Sequence, residues 1–300
     1  MHPKILKICS LVFAVCVSSF LVFETIKKPE GIKSNTARYD ALAAVPLSGE
    51  IKFPDFNNLE IEAKSACVFD VRQNKFLFEL DSDKQLPLAS VAKLMTALVA
   101  KENILPETLV EISKEAMMQE GDSGFSIGEM WRLPDIMSVM LLSSSNDAAF
   151  ALASAKRNTV EPSDVLFVKK MNEKAAALNL RNTYFFNSTG LDLSKGFSGA
   201  YGTCRDITFL ADYLLNQYPE LLEITTKEKA VINNREFQNT NKLFYELPLL
   251  LGSKTGYSDL AGGNLVIITD TGINNPVIII VLGSSFDGRF EDAKKIYERL

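Results

Sequence analysis

Apolar spacing changes three times along the chain, and each change predicts a different kind of element. From about residue 60, ACVFDVRQNKFLFEL reads as two strands around a polar turn at residues 72–75, the pattern of a hairpin. In PLASVAKLMTALVA, residues 87–100, Val91, Leu94, Met95, Leu98 and Val99 recur at the spacing of one helix face. Ser90 precedes them as the expected N-cap, which puts Lys93 at the third helical position, against the helix dipole. Residues 106–218 read as mostly helical. Pro134 and Asp135 open a helix through Leu142, Asn146 and Asp147 cap a second over AAFALASA, and Ser163 and Asp164 cap a third running to about Leu178. Thr203 with Asp206 reads as a capping box before a helix whose face carries Ile207, Leu210, Ala211, Leu214 and Leu215. After about residue 228 come two β-branched runs, GGNLVIITDTG and PVIIIVLGSS, and then DGRFEDAKKIYERL as an amphipathic closing helix. Strands at both ends with helices between them predict an α+β fold. An antiparallel sheet built from the two chain ends is flanked by helices and carries an inserted, mainly helical subdomain.

The first 58 residues have another texture. Residues 8–23, ICSLVFAVCVSSFLVF, carry no charge and follow Lys4 and Lys7. An apolar run behind a positive flank is a secretory or anchor signal. No A-x-A cleavage site follows, so an uncleaved anchor is expected over a removed signal peptide; either way the body is exported. Residues 29–58, with Pro29, Gly31, Pro46, Gly49 and Pro54, read as a linker. The expected organisation is a leader over 1–28, a linker over 29–58 and one body over 59–300.

Composition narrows the chemistry. The net charge is −5; the leader holds +3, which leaves −8 on the remainder. With no long basic run, nucleic-acid binding through a basic surface is not expected. The one histidine, His2, lies in the leader. That excludes Ser-His-Asp and Cys-His arrangements and a His-based zinc site. No metal and no cofactor is expected, and a hydrolase built from this chain needs a base other than imidazole. Cys9 and Cys16 lie in the apolar leader. Cys67 and Cys204 leave a disulfide and two buried thiols open, with buried thiols expected.

Three short motifs carry candidate chemistry. Ser90 and Lys93 are three apart and project from one side of a helix. A serine nucleophile needs a base, and a neutral lysine can supply it. Its ordinary pKa of about 10.4 must then fall by roughly 3 units, about 4 kcal/mol. A helix terminus contributes about 0.3–1 kcal/mol, and about 2 when partly buried. Desolvation and a second cation must do the rest. Ser144, Ser145 and Asn146 sit between two helices, where a hydroxyl can relay a proton and an amide can orient a peptide. Lys254, Thr255 and Gly256 offer a cation, a hydroxyl and a glycine that lets a ligand lie close to the backbone. Lys254 can be the second cation and can receive a carboxylate. Taken singly, each motif has an ordinary explanation: a capped helix with a snorkelling lysine, a serine-rich turn, a glycine turn with a surface lysine. Together and in this order, S-x-x-K, S-x-N and K-T-G are the signature set of active-site-serine penicillin-recognising enzymes.

From about residue 60 onward the chain resembles the D-alanyl-D-alanine carboxypeptidase family of low-molecular-mass penicillin-binding proteins, which have a β-lactamase/transpeptidase-like fold. The resemblance is carried by LASVAKLMTALVA, by GFSIGEMWRLPDIMSVMLLSSSNDAAFALA, by FVKKMNEKAAALNLRNTYFFNSTGLD, by GSKTGYSDLAGGNLV and by FEDAKKIYERL. It implies that Ser90 is the acyl-forming nucleophile and Lys93 its proton acceptor. Ser144 passes the proton toward the leaving group, and Asn146 holds the peptide. Lys254 and Thr255 bind the terminal carboxylate, Gly256 lies beside them, and Ser90 and Tyr257 supply oxyanion-hole N–H groups. The implied substrates are D-Ala-D-Ala stem peptides of peptidoglycan, with β-lactams as covalent inhibitors. The implied location is the extracytoplasmic face of the bacterial cytoplasmic membrane, held by the N-terminal segment, or the cell envelope after secretion.

Family members often carry a further β-rich domain and a C-terminal amphipathic anchor, whereas this sequence ends at Leu300, after the closing helix. A DD-endopeptidase that cuts crosslinks is therefore a serious variant. A class A β-lactamase needs a Glu-x-x-Leu-Asn element; at Glu161 the fourth and fifth residues are Asp164 and Val165, so Glu161 reads as a loop residue. A peptidoglycan-binding protein without turnover is opposed by the intact motif residues.

Overall fold

The apolar runs at the two ends of the body pair with each other in the computed structural model, which describes residues 54–155, 163–247 and 249–300. The leader, most of the expected linker and Glu161 lie outside the described residues. The elements in chain order are β1 (Ser65–Asp70), β2 (Lys75–Leu80), β3 (Leu86–Pro87), a 3-10 turn (Ala89–Ala92), α1 (Lys93–Asn103), β4 (Leu109–Glu111), β5 (Met130–Arg132), α2 (Leu133–Leu142), α3 (Asn146–Ser154), α4 (Ser163–Ala177), β6 (Tyr184–Phe185), β7 (Ala200–Gly202), α5 (Cys204–Gln217), α6 (Pro219–Glu223), β8 (Lys229–Ile232), β9 (Arg235–Gln238), β10 (Leu250–Ser258), β11 (Gly262–Asp270), β12 (Pro276–Ser284) and α7 (Gly288–Tyr297). The main sheet is antiparallel with order β10-β11-β12-β1-β2, so the first strand of the body sits beside the last. Val68 stands opposite Ile279 and Cys67 opposite Ile280.

Strand alternation explains why these runs are apolar throughout. Cys67 and Phe69, with Val266, Ile268, Ile278 and Ile280, face the helical layer. Ala66 and Val68, with Leu265, Ile267, Ile279 and Val281, face Phe290, Ala293 and Ile296 of α7. Both sheet faces are covered, so neither alternate position is polar. Cys67 and Cys204 are buried and unbridged. On the helical side, α1 is buried from Lys93 through Ala100 and touches α2, α3, α4 and α5. A helix stretch buried on every side belongs at the centre of a bundle. Among the described residues no helix is long and apolar enough to cross a membrane.

Outside the catalytic groups, local expectations differ from the structure in four places. Residues 106–218 are less helical than their pattern implied, because β4 pairs with β5 and β3, β7 and β6 form a small sheet. Strands of two or three residues contain no full period to detect. The cap of α3 is Ser145, whose hydroxyl accepts from Ala148 N–H at 3.1 Å, one residue before the expected Asn146 and Asp147. Thr203 caps α5 as expected, but Asp206 does not return the bond. Its carboxylate accepts from Asn182 N–H and the Thr183 hydroxyl, both at 2.8 Å. At the body's start, Phe56 already stacks on Phe78 at 5.0 Å, so the packed body takes in the last residues of the stretch read as linker.

Asp292 ties α7 to the beginning of β1. Its buried carboxylate accepts from Glu62 N–H at 3.0 Å, Ala63 N–H at 2.9 Å and the Ser284 hydroxyl at 2.6 Å. Asp292→Ala leaves these donors unpaired, and urea unfolding is expected to show a loss of about 3 kcal/mol. A loss below about 0.5 kcal/mol would show that this carboxylate does not hold the chain ends together.

Candidate active site

Ala89 has a φ of 46°, in the left-handed region. The chain therefore enters the helix through the 3-10 turn, and Ser90 lies inside that turn with no side-chain cap bond at its start. This corrects the expected N-cap. Lys93 is the first residue of α1 rather than the third of a helix capped by Ser90. Freed from capping, the Ser90 hydroxyl lies 2.7 Å from Lys93 Nζ.

Lys93 has no exposed surface. Nζ has two further contacts at 2.7 Å, to Asn146 Oδ1 and to the Thr189 carbonyl. Both of these oxygens can only accept. An uncharged amine has two N–H groups and one lone pair, so its two donors go to these oxygens. The lone pair is then left for the one neighbour able to donate, the Ser90 hydroxyl. The charge balance favours that state. Burial, and after it the cation of Lys254, hold Lys93 well below the ordinary lysine range, and Asp147 opposes them.

The loop between α2 and α3 supplies the second group. Ser144 has a φ of 61°, a backbone state that costs on the order of 1–3 kcal/mol and that clusters at functional sites. Its hydroxyl accepts from Lys254 Nζ at 2.7 Å. Asn146 Nδ2 donates to the Glu120 carbonyl at 2.6 Å, which leaves Oδ1 to face Lys93. Asp147 accepts from Ser123 N–H at 3.3 Å, and burial raises its pKa.

The third group is on β10, the edge strand next to the 3-10 turn. A Cβ at Gly256 would lie 2.9 Å from the Leu88 carbonyl and 3.2 Å from Ser90 N, so glycine permits the approach of strand to turn. Lys254 Nζ donates to Ser144 Oγ and to the Thr255 carbonyl at 2.8 Å. The Thr255 carbonyl thus points off the sheet, and alternation directs Tyr257 N–H to the same free edge. Burial, then the Arg289 cation, lower Lys254 to about 7. The Thr255 hydroxyl bonds the Thr240 hydroxyl at 2.6 Å. Tyr257 is exposed and lines a polar cleft with Glu120, Asp192, Ser194 and Asp259.

All the candidates from Ser90 to Tyr257 therefore lie on three elements that meet. Three participants carried no assignment from the sequence. Thr189 lies in the Asn-x-x-Gly-Leu-Asp turn, where Gly190 has a φ of 80° and a Cβ would fall 1.9 Å from the Ala89 carbonyl. That glycine was the available signal. Arg289 is 4% exposed, donates to the Gly256 carbonyl at 2.7 Å and stacks on Phe286 and Phe290. Thr240 N–H donates to the Leu142 carbonyl at 3.2 Å and so joins β10 to the end of α2. No spacing marks either residue.

The lowered Lys254 pKa has a definite sign for stability. Between about 7 and the unfolded value of about 10.4, the unfolded chain binds the proton and the folded one does not, so stability rises with pH across that window. Wild type is expected to gain on a Lys254→Met variant as pH is raised from 7 to 10, by an amount on the order of 4 kcal/mol. Parallel stability–pH curves in denaturant titrations would contradict the burial of this cation.

A family model described as D-alanyl-D-alanine carboxypeptidase matches residues 52–285. The chain is 32% identical over 249 residues to a D-alanyl-D-alanine endopeptidase of Escherichia coli, with 79% of this chain and 76% of that one covered. It is 33% identical over 240 residues to the D-alanyl-D-alanine carboxypeptidase DacF of Bacillus subtilis, covering 76% of this chain and 59% of that one. Among solved structures, penicillin-binding protein D2 of Listeria monocytogenes in its ampicillin-bound form superposes with a TM-score of 0.69 at 31% identity, over 81% of this chain and 98% of that one.

Proposed function

The chain belongs to the D-alanyl-D-alanine carboxypeptidase family, and on that premise we propose that it is a serine peptidase that trims the terminal D-Ala from peptidoglycan stem pentapeptides. The observation that carries this reading is the Ser90–Lys93 pair, held so that only the hydroxyl can donate to an uncharged amine. In the proposed sequence Lys93 takes the Ser90 proton as Oγ attacks the carbonyl of the penultimate residue. The oxyanion forms between the N–H groups of Ser90 and Tyr257, where preorganised donors contribute most. Ser144 passes the proton taken by Lys93 on to the leaving amine, D-Ala departs, and water then cleaves the acyl-enzyme. Asn146 orients the peptide, while Lys254 and Thr255, with Gly256 beside them, receive the terminal carboxylate. The arriving anion favours the charged form of Lys254. β-Lactams would acylate the same serine, and the ampicillin-bound relative supports that expectation.

One observation favours a second reading. An endopeptidase stands among the relatives and is matched over more of its own length than the carboxypeptidase DacF. An endopeptidase would use the same acylation, with a crosslinked amine as leaving group. The charge-free run at residues 8–23 behind Lys4 and Lys7 supports an exported body tethered at the extracytoplasmic face of the membrane or released to the envelope.

Incubation with pentapeptide monomers and crosslinked dimers, read by mass, separates the two activities. Loss of one D-Ala from the monomer is expected. Cut dimers with intact monomers would replace the carboxypeptidase reading with the endopeptidase one. A fluorescent penicillin is expected to label wild type and to leave Ser90→Ala unlabelled. Equal labelling of both would remove Ser90 from the nucleophile position.

A further inference from the structure

Four rings gather on the outward face of the small sheet, apart from the catalytic groups. Tyr184 stands opposite Tyr201, and Tyr201 opposite Pro87 of β3. Directly opposed residues share one face of a sheet. Phe186 follows Tyr184 by two and stays on that face; its N–H donates to the Gly199 carbonyl at 2.8 Å. Phe197 closes on Phe186 with ring centroids 4.6 Å apart, and Tyr184 lies 4.8 Å from Phe186 on the other side. The opposite face of this sheet is the buried one, with Phe185 and Ala200 in the core. By contrast Tyr184 is 50% exposed, Phe186 39% and Phe197 41%. The fold already has its apolar payload from Phe185, so a contiguous exposed ring cluster points to a ligand.

The face lies close along the chain to the catalytic groups. Pro87 precedes Ser90 by three residues, and Phe186 precedes Thr189, the Lys93 partner, by three. At 3.8 Å per step, the two Cα atoms lie within about 11 Å of those of Ser90 and Thr189. Leu191, Asp192, Ser194 and Lys195 line the polar cleft together with Tyr257 and Ser258. Ser194 then pairs across the same loop with Phe197. A ligand leaving the cleft along this loop meets the rings next.

We propose that this aromatic face is a glycan subsite that holds a pyranose ring of the β-linked amino-sugar strand to which the stem peptide is attached. Ring faces are electron-rich and attract polarised C–H groups, and one side of a pyranose presents a row of them. Pro87, Tyr184, Phe186, Phe197 and Tyr201 carry no charge, which suits a neutral N-acetylated sugar. Reach agrees as well: four extended residues back from the cleaved bond span about 13–14 Å. The inference rests on the stem-peptide reading above, and its test is chosen to fail separately from that reading.

The probe is the soluble hexamer of N-acetylglucosamine, titrated into the full chain by calorimetry. Binding is expected for wild type. It is expected to weaken by about tenfold, the equivalent of roughly 1.4 kcal/mol, in Tyr184→Thr and in Phe197→Gln. Both variants should keep wild-type rates of penicillin labelling and of free-pentapeptide cleavage, while cleavage of pentapeptide still attached to glycan strands falls by a similar factor. The two variants lie on different segments, so loss of folding in one, seen as lost penicillin labelling, leaves the other to decide. Hexamer binding by a wild-type chain that cleaves no stem peptide would support the subsite and sink the carboxypeptidase reading. Pentapeptide cleavage without hexamer binding, or equal binding by the variants, would overturn the subsite. Sedimentation with phosphatidylglycerol vesicles that depends on the same rings, without hexamer binding, would assign the face to a membrane and also overturn it.

Discussion

The buried amine of Lys93 is the constraint on which the rest of the site depends. A lysine with no exposed surface, flanked by a second buried lysine, cannot keep its charge cheaply. Two acceptor-only oxygens, from Asn146 and Thr189, then decide which way its lone pair points. The nucleophile is thus activated by exclusion of water and by orientation, in a body that has no histidine to do it. Burial and then Arg289 lower Lys254, and burial and then Lys254 lower Lys93, so three basic groups on α7, β10 and α1 are graded along one line of influence. Stacking of Arg289 on two phenylalanine rings helps to compensate for burying the outermost of them.

Holding such a cluster needs rigid support, because every member would rather be in water. The support comes from the two-sided sheet and from α1, the helix at the centre of the bundle. Some backbone strain lies where these elements meet. Ala89, Ser144 and Gly190 all have positive φ, and two of the three are residues with a side chain. At Gly190 and Gly256 the backbones come so close to the Ser90 turn that a methyl group would collide. The price of these close approaches is met by the packed layers around them, and the result is a serine presented on a turn rather than spent as a cap.

Much of this was legible in the sequence, for physical reasons. Long strands such as β11 and β12 alternate between two covered faces, so their β-branched runs stand out, and the closing helix keeps a clear amphipathic pattern. The three motifs were legible because a chain without an available imidazole leaves few chemistries for Ser90. What was hidden lacks periodicity or acts through the backbone. The two- and three-residue strands β3 to β7 carry no period. Lys93 receives one of its decisive contacts from the Thr189 main chain, which any residue type can offer. Arg289 was read as part of an amphipathic helix, and only the packing of α7 on the sheet face brings its guanidinium to the Gly256 carbonyl. The N-cap at Ser90 was misplaced because the positive φ of Ala89 has no sequence mark.

Whether the nucleophile is activated by an uncharged amine is read from the ionisation of Lys93. With lysines labelled at the ε-carbon, a chemical-shift titration of the intact protein reads each amine separately, and Lys93→Arg identifies the resonance. The Lys93 midpoint is expected well below the ordinary value of about 10.4, and it is expected to move upward when Lys254 is replaced by methionine. A Lys93 resonance that titrates near 10.4 in the folded protein, unmoved by loss of Lys254, would contradict it.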